Sequence, residues 1–242
     1  VANGVNIKNN KNIYIIILII AILLIAYLIY GYYPKSTFEL KNPIATMEIE
    51  DYGIVKIELY PEMAPNTVRN FIELINSGYY NGLTFHRVED SLIQGGDKEG
   101  TGAGKTDYTI PGEFELNGFR ENTRKCTRGT LGLARADYTM YYYYTGDSSY
   151  LKMGYNSGCS QFFIMAKDEE NFDGNYCAFG KVIEGLDIID EITKIEKTVE
   201  VDEETGESEE TTTPVNPPII KSITVDTFGI NYKAPTKLVV ED

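Results

Sequence analysis

The chain has 242 residues, with 22 Lys or Arg against 36 Asp or Glu and a formal charge of −14. That balance excludes a nucleic-acid-binding surface of the usual kind, because a phosphate backbone needs a basic counter-surface. One histidine, and three cysteines (Cys126, Cys159, Cys177) without a CxxC pair, exclude clustered-His metal sites, zinc ribbons and thioredoxin-type sites.

Residues 1–12 read as an N-terminal tail. From Ile13 to Tyr33 no charged residue occurs and Ile and Leu dominate. That run is about 20 residues, enough for a helix to cross a bilayer. Tyr27, Tyr30, Tyr32 and Tyr33 would form its interfacial aromatic belt. A cleaved signal peptide is the competing arrangement. It would have a shorter apolar region ending in a small-x-small site, whereas Tyr-Leu-Ile-Tyr-Gly-Tyr-Tyr-Pro follows Ala26. The segment is therefore read as an uncleaved single-pass anchor. Lys8 and Lys11 before it nearly balance Lys35 and Lys41 after it. The short tail with its free amine tips the orientation to N-inside, with the main domain extracytoplasmic.

Residues 34–43 read as a tether. Val55, Ile57 and Leu59 then alternate with Lys56 and Glu58, the period of a half-buried strand, and 44–50 pairs with it through the turn at 51–53. A helix follows: Pro65 opens it, Val68, Phe71, Ile72 and Ile75 share one face, and Gly78 ends it. Further short strands are expected at 84–88, 91–95, 130–134, 161–165, 178–183 and 219–225, with a short helix at 186–193. About eight strands and two helices, separated by Gly-rich turns, predict a mainly β fold: a closed antiparallel barrel capped by helices. Two stretches read as surface loops or hairpins inserted into it, about 137–155, rich in Tyr, and about 197–216, rich in acid. Residues 231–242 read as a C-terminal tail.

Gly100-Thr101-Gly102-Ala103-Gly104-Lys105-Thr106 imitates a phosphate-binding loop but is one residue short, with Glu99 where the first Gly belongs. It is set aside as a Gly-rich surface loop. At most one disulfide is possible among the cysteines; three small buried thiols are the other arrangement.

The informative blocks are Phe85-His86-Arg87-Val88, Gln94-Gly95-Gly96-Asp97, 127–136, Ser160-Gln161-Phe162-Phe163-Ile164 and 172–182. Five such blocks in this order resemble a cyclophilin-type peptidyl-prolyl cis–trans isomerase of the bacterial kind, over about residues 43–229. The resemblance implies an eight-stranded barrel with a helix closing each end. It implies a reaction that cuts no bond and needs no cofactor or metal, and proline-containing unfolded or nascent polypeptides as partners. By resemblance Arg87, Gln94 and Phe163 are catalytic: Arg87 donates to the twisted amide, Gln94 holds substrate backbone and Arg87, and Phe163 lines the proline pocket. His86, Leu92, Ala134, Arg135, Gln161, Phe172 and Tyr176 are the expected substrate-binding residues, with His86 read as structural rather than as a base. Phe162 and Phe163 are expected on opposite faces of one strand.

Three positions depart from the family pattern. The stretch between Arg87 and Gln94 is one residue short and puts Ser91 or Leu92 where an aromatic usually floors the pocket. Asn171 stands where cyclosporin-sensitive members carry Trp, which implies weak cyclosporin binding. Cys126 stands where bacterial relatives often have His. The reshaped floor keeps a second reading open, a proline-peptide binding module or chaperone with weak turnover. The Tyr-rich insertion is expected to extend the substrate site or to touch a membrane surface.

Overall fold

A computed structural model describes residues 8–32, 41–104, 106–202 and 207–240. The chain divides into two units, one up to residue 40 and one from residue 41 onward. The first contains helix α1, Lys8–Tyr32. Its stretch Lys11–Leu28 is long and apolar enough to cross a membrane, a property shared by anchors and signal sequences. Ile13, Leu18, Ile22 and Leu28 are all exposed. Tyr33 and residues 34–40 of the expected tether lie outside the described residues, and so does Lys35.

In the second unit, β1 (Ile44–Ile49) and β2 (Gly53–Leu59) form the expected hairpin, with Ile49 opposite Gly53. Helix α2 (Pro65–Asn76) buries Val68, Phe71, Ile72 and Ile75, and Gly78 follows it with φ +71. Its first N–H groups are capped from elsewhere in the chain. The Glu113 carboxylate accepts from the Asn66 N–H at 2.9 Å and from the Thr67 N–H and hydroxyl at 2.8 Å each. An acidic group at this end also suits the helix dipole.

Strands β3 (Phe85–Val88), β4 (Leu92–Gly95), β5 (Tyr108–Thr109) and β6 (Thr130–Leu133) follow. Next come helices α3 (Thr139–Thr145) and α4 (Ser149–Tyr155), then β7 (Phe162–Met165) and β8 (Cys177–Glu184). Helix α5 (Leu186–Ile192) precedes the pair β9 (Lys197–Val201) and β10 (Ser208–Pro214). Strands β11 (Ile220–Asp226) and β12 (Leu238–Val239) end the chain.

Eight strands make one sheet in the order β11-β1-β2-β8-β6-β7-β4-β3. All its pairings are antiparallel. The sheet curls until its edge strands meet. The expected closure is made by a short seam rather than a full ladder: a bridge between Thr84 and Ile219, with the Phe85 N–H donating to Pro218 O at 2.9 Å. Inside, the Phe71 ring packs against Tyr80 and Phe179, and Phe162 meets Phe71, Tyr80 and Phe85 edge-on. Helix α2 packs on β8 and β11, and α5 on β2.

The Tyr-rich insertion differs from the loop or hairpin expected of it. It forms α3 and α4, each seven residues long. Local groups make them: Asp137 accepts from the Thr139 N–H and Asp147 from the Ser149 N–H, both at 2.9 Å, and Tyr141 stacks on Tyr150. The acidic stretch is a hairpin, β9 against β10, one of its two expected forms. Residues of the expected C-terminal tail are tied down. Strand β12 pairs with β5, and Thr236 and Asn66 exchange two hydrogen bonds, at 2.7 and 3.0 Å. All three cysteines are free and buried. Burial pushes the thiols of Cys126 and Cys177 up to about 12, so neither is a ready nucleophile at neutral pH.

Candidate active site

The sheet register assembles the site. Arg87 on β3 faces Gln94 on β4, Gln94 faces Phe163 on β7, Phe163 faces Gly132 on β6, and Gly132 faces Ala178 on β8. Partners directly across a sheet share a face, so five strands contribute one row of positions. Gly132 matters in this row. A Cβ there would sit 2.2 Å from Cζ of Phe163, so only glycine lets the ring lie across β6.

At one end of the row is a chain of side-chain hydrogen bonds. Arg87 Nη1 donates to Gln94 Oε1 at 2.9 Å, Gln94 Nε2 donates to Gln161 Oε1 at 2.9 Å, and Gln161 Nε2 donates to the Gly102 carbonyl at 3.1 Å. At the other end is an apolar cluster apart from the main core: Leu92, Cys126, Phe163, Met165 and Ala178, with Ala134, Phe172 and Tyr176 against it. The Phe163 ring meets Phe172 and Tyr176 edge-on, at 5.6 and 5.5 Å between centroids, and those two rings stack on each other. Arg135 lies over Tyr176 and Tyr155, and its Nε donates to the Asn175 carbonyl at 3.1 Å. A cleft of about 510 Å³ continues from Gln94, Gln161 and Ala134 between Tyr138, the Gly102–Gly104 loop and Val240.

The expected site residues thus fall into two neighbouring groups, Arg87, Gln94 and Gln161 in the polar chain, and Leu92, Phe163, Ala134, Phe172 and Tyr176 in the apolar cluster. Leu92, rather than Ser91, is the residue packed in that cluster. Arg135 lies against the second group, over Tyr176, and His86 belongs to neither. The strand bulges at His86, where the register shifts between Phe85 and Arg87, and the ring is 6% exposed with both nitrogens unpartnered among the described residues. Burial lowers its pKa, nearby Arg87 lowers it further and Asp97 opposes them, which leaves a neutral packed ring at neutral pH. Met165, Ala178, Gly132, Tyr138 and Glu89 were not singled out by the sequence. Glu89 had a readable signal: it stands two residues beyond Arg87 on extended chain.

The Gly-rich stretch that imitates a phosphate loop carries its own anion. The Asp97 carboxylate accepts from the N–H groups of Glu99, Thr101, Gly102 and Gly104 at 2.7–3.2 Å. A Cβ on Gly104 would sit 1.8 Å from Asp97 Oδ1. The cradle is therefore filled from within. Burial raises the Asp97 pKa, but the four N–H bonds outweigh it and the group sits below the usual carboxylate range. A depressed folded value contributes stability above the unfolded pKa and loses it as pH falls through the folded one. Amide exchange at Gly102 and Gly104 should therefore be slow at about pH 5 and speed up beyond the intrinsic pH effect below about pH 3.9. Unchanged protection factors across that window would show that the carboxylate does not hold the loop.

The model of the family "Cyclophilin type peptidyl-prolyl cis-trans isomerase/CLD" matches residues 44–225. The chain is a cyclophilin. Among curated cyclophilins it is 39% identical to peptidyl-prolyl cis-trans isomerase B of Bacillus subtilis (strain 168) over 140 residues, which is 57% of this chain and 82% of that protein. It is 35% identical to peptidyl-prolyl cis-trans isomerase-like 3 of Gallus gallus over 176 residues, 72% of this chain and 91% of that one. A Cryptosporidium parvum cyclophilin, crystallised in the presence of the dipeptide Ala-Pro, shares the fold with a TM-score of 0.56 and 28% identity. That match covers 76% of this chain and 98% of the other. The relatives span a bacterium, vertebrates and a plant, so membership does not single out the bacterial branch.

This cyclophilin is accordingly a peptidyl-prolyl cis–trans isomerase. An amide resists rotation by about 18–20 kcal/mol through resonance, and an X–Pro bond turns over unaided in tens to hundreds of seconds. No bond breaks, so the catalyst needs only to bind the twisted amide better than the planar one.

Proposed function

We propose that the chain is a membrane-anchored foldase that turns X–Pro bonds in unfolded or nascent polypeptides, with residues 13–33 as the anchor and the isomerase domain extracytoplasmic. Arg87 is the donor to the proline nitrogen, whose lone pair is released as resonance is lost. A guanidinium suits this because it keeps its charge and offers several N–H groups in a fixed plane. Gln94 holds both Arg87 and the substrate backbone. Phe163 and Leu92 receive the proline ring, with Phe172 and Tyr176 at its rim. Ala134, Arg135 and Gln161 border the cleft that takes the preceding residues. The observation that carries this reading is the juxtaposition of the hydrogen-bonded chain Arg87–Gln94–Gln161 with the Phe163 cluster. His86 is a structural residue. Cyclosporin binds weakly, because the exposed Asn171 beside Phe172 offers no ring to pack on it.

The Tyr-rich insertion belongs to the substrate site, since Tyr138 lines the same cleft as Gln94 and Gln161. In lipid vesicles the full chain should accelerate isomerisation of both a proline tetrapeptide and a long unfolded protein. Tyr138→Ala should raise KM for the unfolded protein by about fivefold and leave the tetrapeptide unchanged, as loss of binding to a remote part of the substrate does. An alkaline wash should leave the full chain with the vesicles and release the chain lacking residues 1–40. Release of the full chain removes the anchor from this reading, and an equal KM for Tyr138→Ala removes the insertion. Peptide binding without turnover would leave a proline-binding module instead.

A further inference from the structure

The guanidinium of Arg87 is held on two edges, and only one of the holders is Gln94. On its other edge, Nε donates to Glu89 Oε1 at 2.8 Å, and Nη2 donates to the same oxygen. Glu89 is itself fixed. Its N–H donates to the Leu92 carbonyl at 2.8 Å, closing the short connection between β3 and β4. Two residues on, the Ser91 carbonyl accepts from the N–H groups of Ala166 and Lys167 at 2.7 and 3.2 Å, which pins the connection to the end of β7.

Counting donors shows what this does. A guanidinium has five N–H groups. Three are taken, one by Gln94 and two by Glu89, which leaves one on each terminal nitrogen. With Gln94 alone, the plane can pivot about a single bond. With Glu89 on the opposite edge it cannot, and the two free N–H groups keep one direction. The side chains are 41% and 29% exposed, and ion pairs of that exposure contribute little to fold stability. Its effect therefore lies in orientation rather than in holding the barrel together.

We propose that Glu89 is a positioning residue for the isomerisation, acting on substrate only through the plane of Arg87. The inference rests on Arg87 being the donor, so Arg87→Ala is the control that tests that reading separately. In the full chain in detergent micelles, Glu89→Ala should lower kcat for a proline tetrapeptide by about tenfold, with KM within about twofold. Glu89→Gln, which keeps an acceptor oxygen, should recover most of the loss. In NMR spectra the Nε–H signal of Arg87 should be sharp and slowly exchanging in the wild type and in Glu89→Gln, and lost to fast exchange in Glu89→Ala. Three results would overturn the inference: an unchanged or higher kcat in Glu89→Ala, an Arg87 signal that ignores the substitution, or a kcat loss matched by a fall in Tm. If Arg87→Ala keeps full activity, the donor reading fails instead.

Discussion

Arg87→Ala should lower kcat/KM for a proline tetrapeptide by about 100- to 1,000-fold while leaving Tm within a few degrees. The magnitude follows from what one preorganised donor contributes where charge or lone-pair density develops, about 2.7–4 kcal/mol. Only the twisted amide has a nitrogen lone pair to accept a hydrogen bond, so the interaction is absent from the ground state and appears in kcat. Arg87→Lys should recover little. An ammonium cannot donate to Gln94 and Glu89 from one plane and still present two N–H groups to substrate. The small effect on Tm follows from the partial exposure of Arg87 and its absence from both apolar clusters. A protease-coupled assay beside a thermal melt reads both quantities. Equal rates for Arg87→Ala and the parent would place the chemistry elsewhere in the cleft.

The second large effect concerns two adjacent phenylalanines that do different work. Phe162 is fully buried and meets Phe71, Tyr80 and Phe85 edge-on. Replacing it with alanine removes a whole ring from a packed interior, a loss of about 3–5 kcal/mol. Against a total stability of about 5–15 kcal/mol, that leaves a domain partly unfolded at body temperature or close to it. Phe163 points to the other face, into the satellite cluster whose rim residues Phe172 and Tyr176 are only partly buried. Phe163 is itself only 2% exposed, so Phe163→Ala should also cost stability; on the proposal that the proline ring rests on Phe163, its kcat/KM per folded molecule should be about tenfold lower. Urea midpoints and isomerisation rates on the two variants separate the roles. If both variants lose stability equally while activity per folded molecule stays constant, Phe163 is a core residue and nothing more.

Much of this was readable in the chain, and the limits have physical causes. Val55, Ile57 and Leu59, and the helical stripe Val68, Phe71, Ile72 and Ile75, are local periodicities, and the elements they predict are present. The opposed faces of Phe162 and Phe163 follow from strand alternation alone. Helices α3 and α4 were missed because Tyr141–Tyr144 carries no apolar period; aspartate turns and ring stacking make them instead. Strand β12 pairs two residues with β5 across more than half of the domain, and no local pattern encodes such a contact. Leu92 in the satellite cluster was one of two alternatives at a shortened turn, and only the register of β4 against β7 decides between them. Glu89 stands two residues beyond Arg87, but only the fold of the β3–β4 connection turns its carboxylate onto the guanidinium.

The ladder between β1 and β11 has a consequence for biosynthesis. Strand β11 is the last strand of the large sheet to be made, yet its ladder partner is β1, the first. At elongation rates of about 5–20 residues per second, Ile49 waits roughly 10–30 s for Ile220 to be synthesised. Through that interval β1 has β2 on one side and an open edge on the other, with Ala45, Met47 and Ile49 on the face meant for the interior. The nascent chain therefore passes through a stage in which a prolyl isomerase carries an unfinished strand edge of its own. Its last barrel strand acts as a latch, and the ribosome sets when that latch arrives.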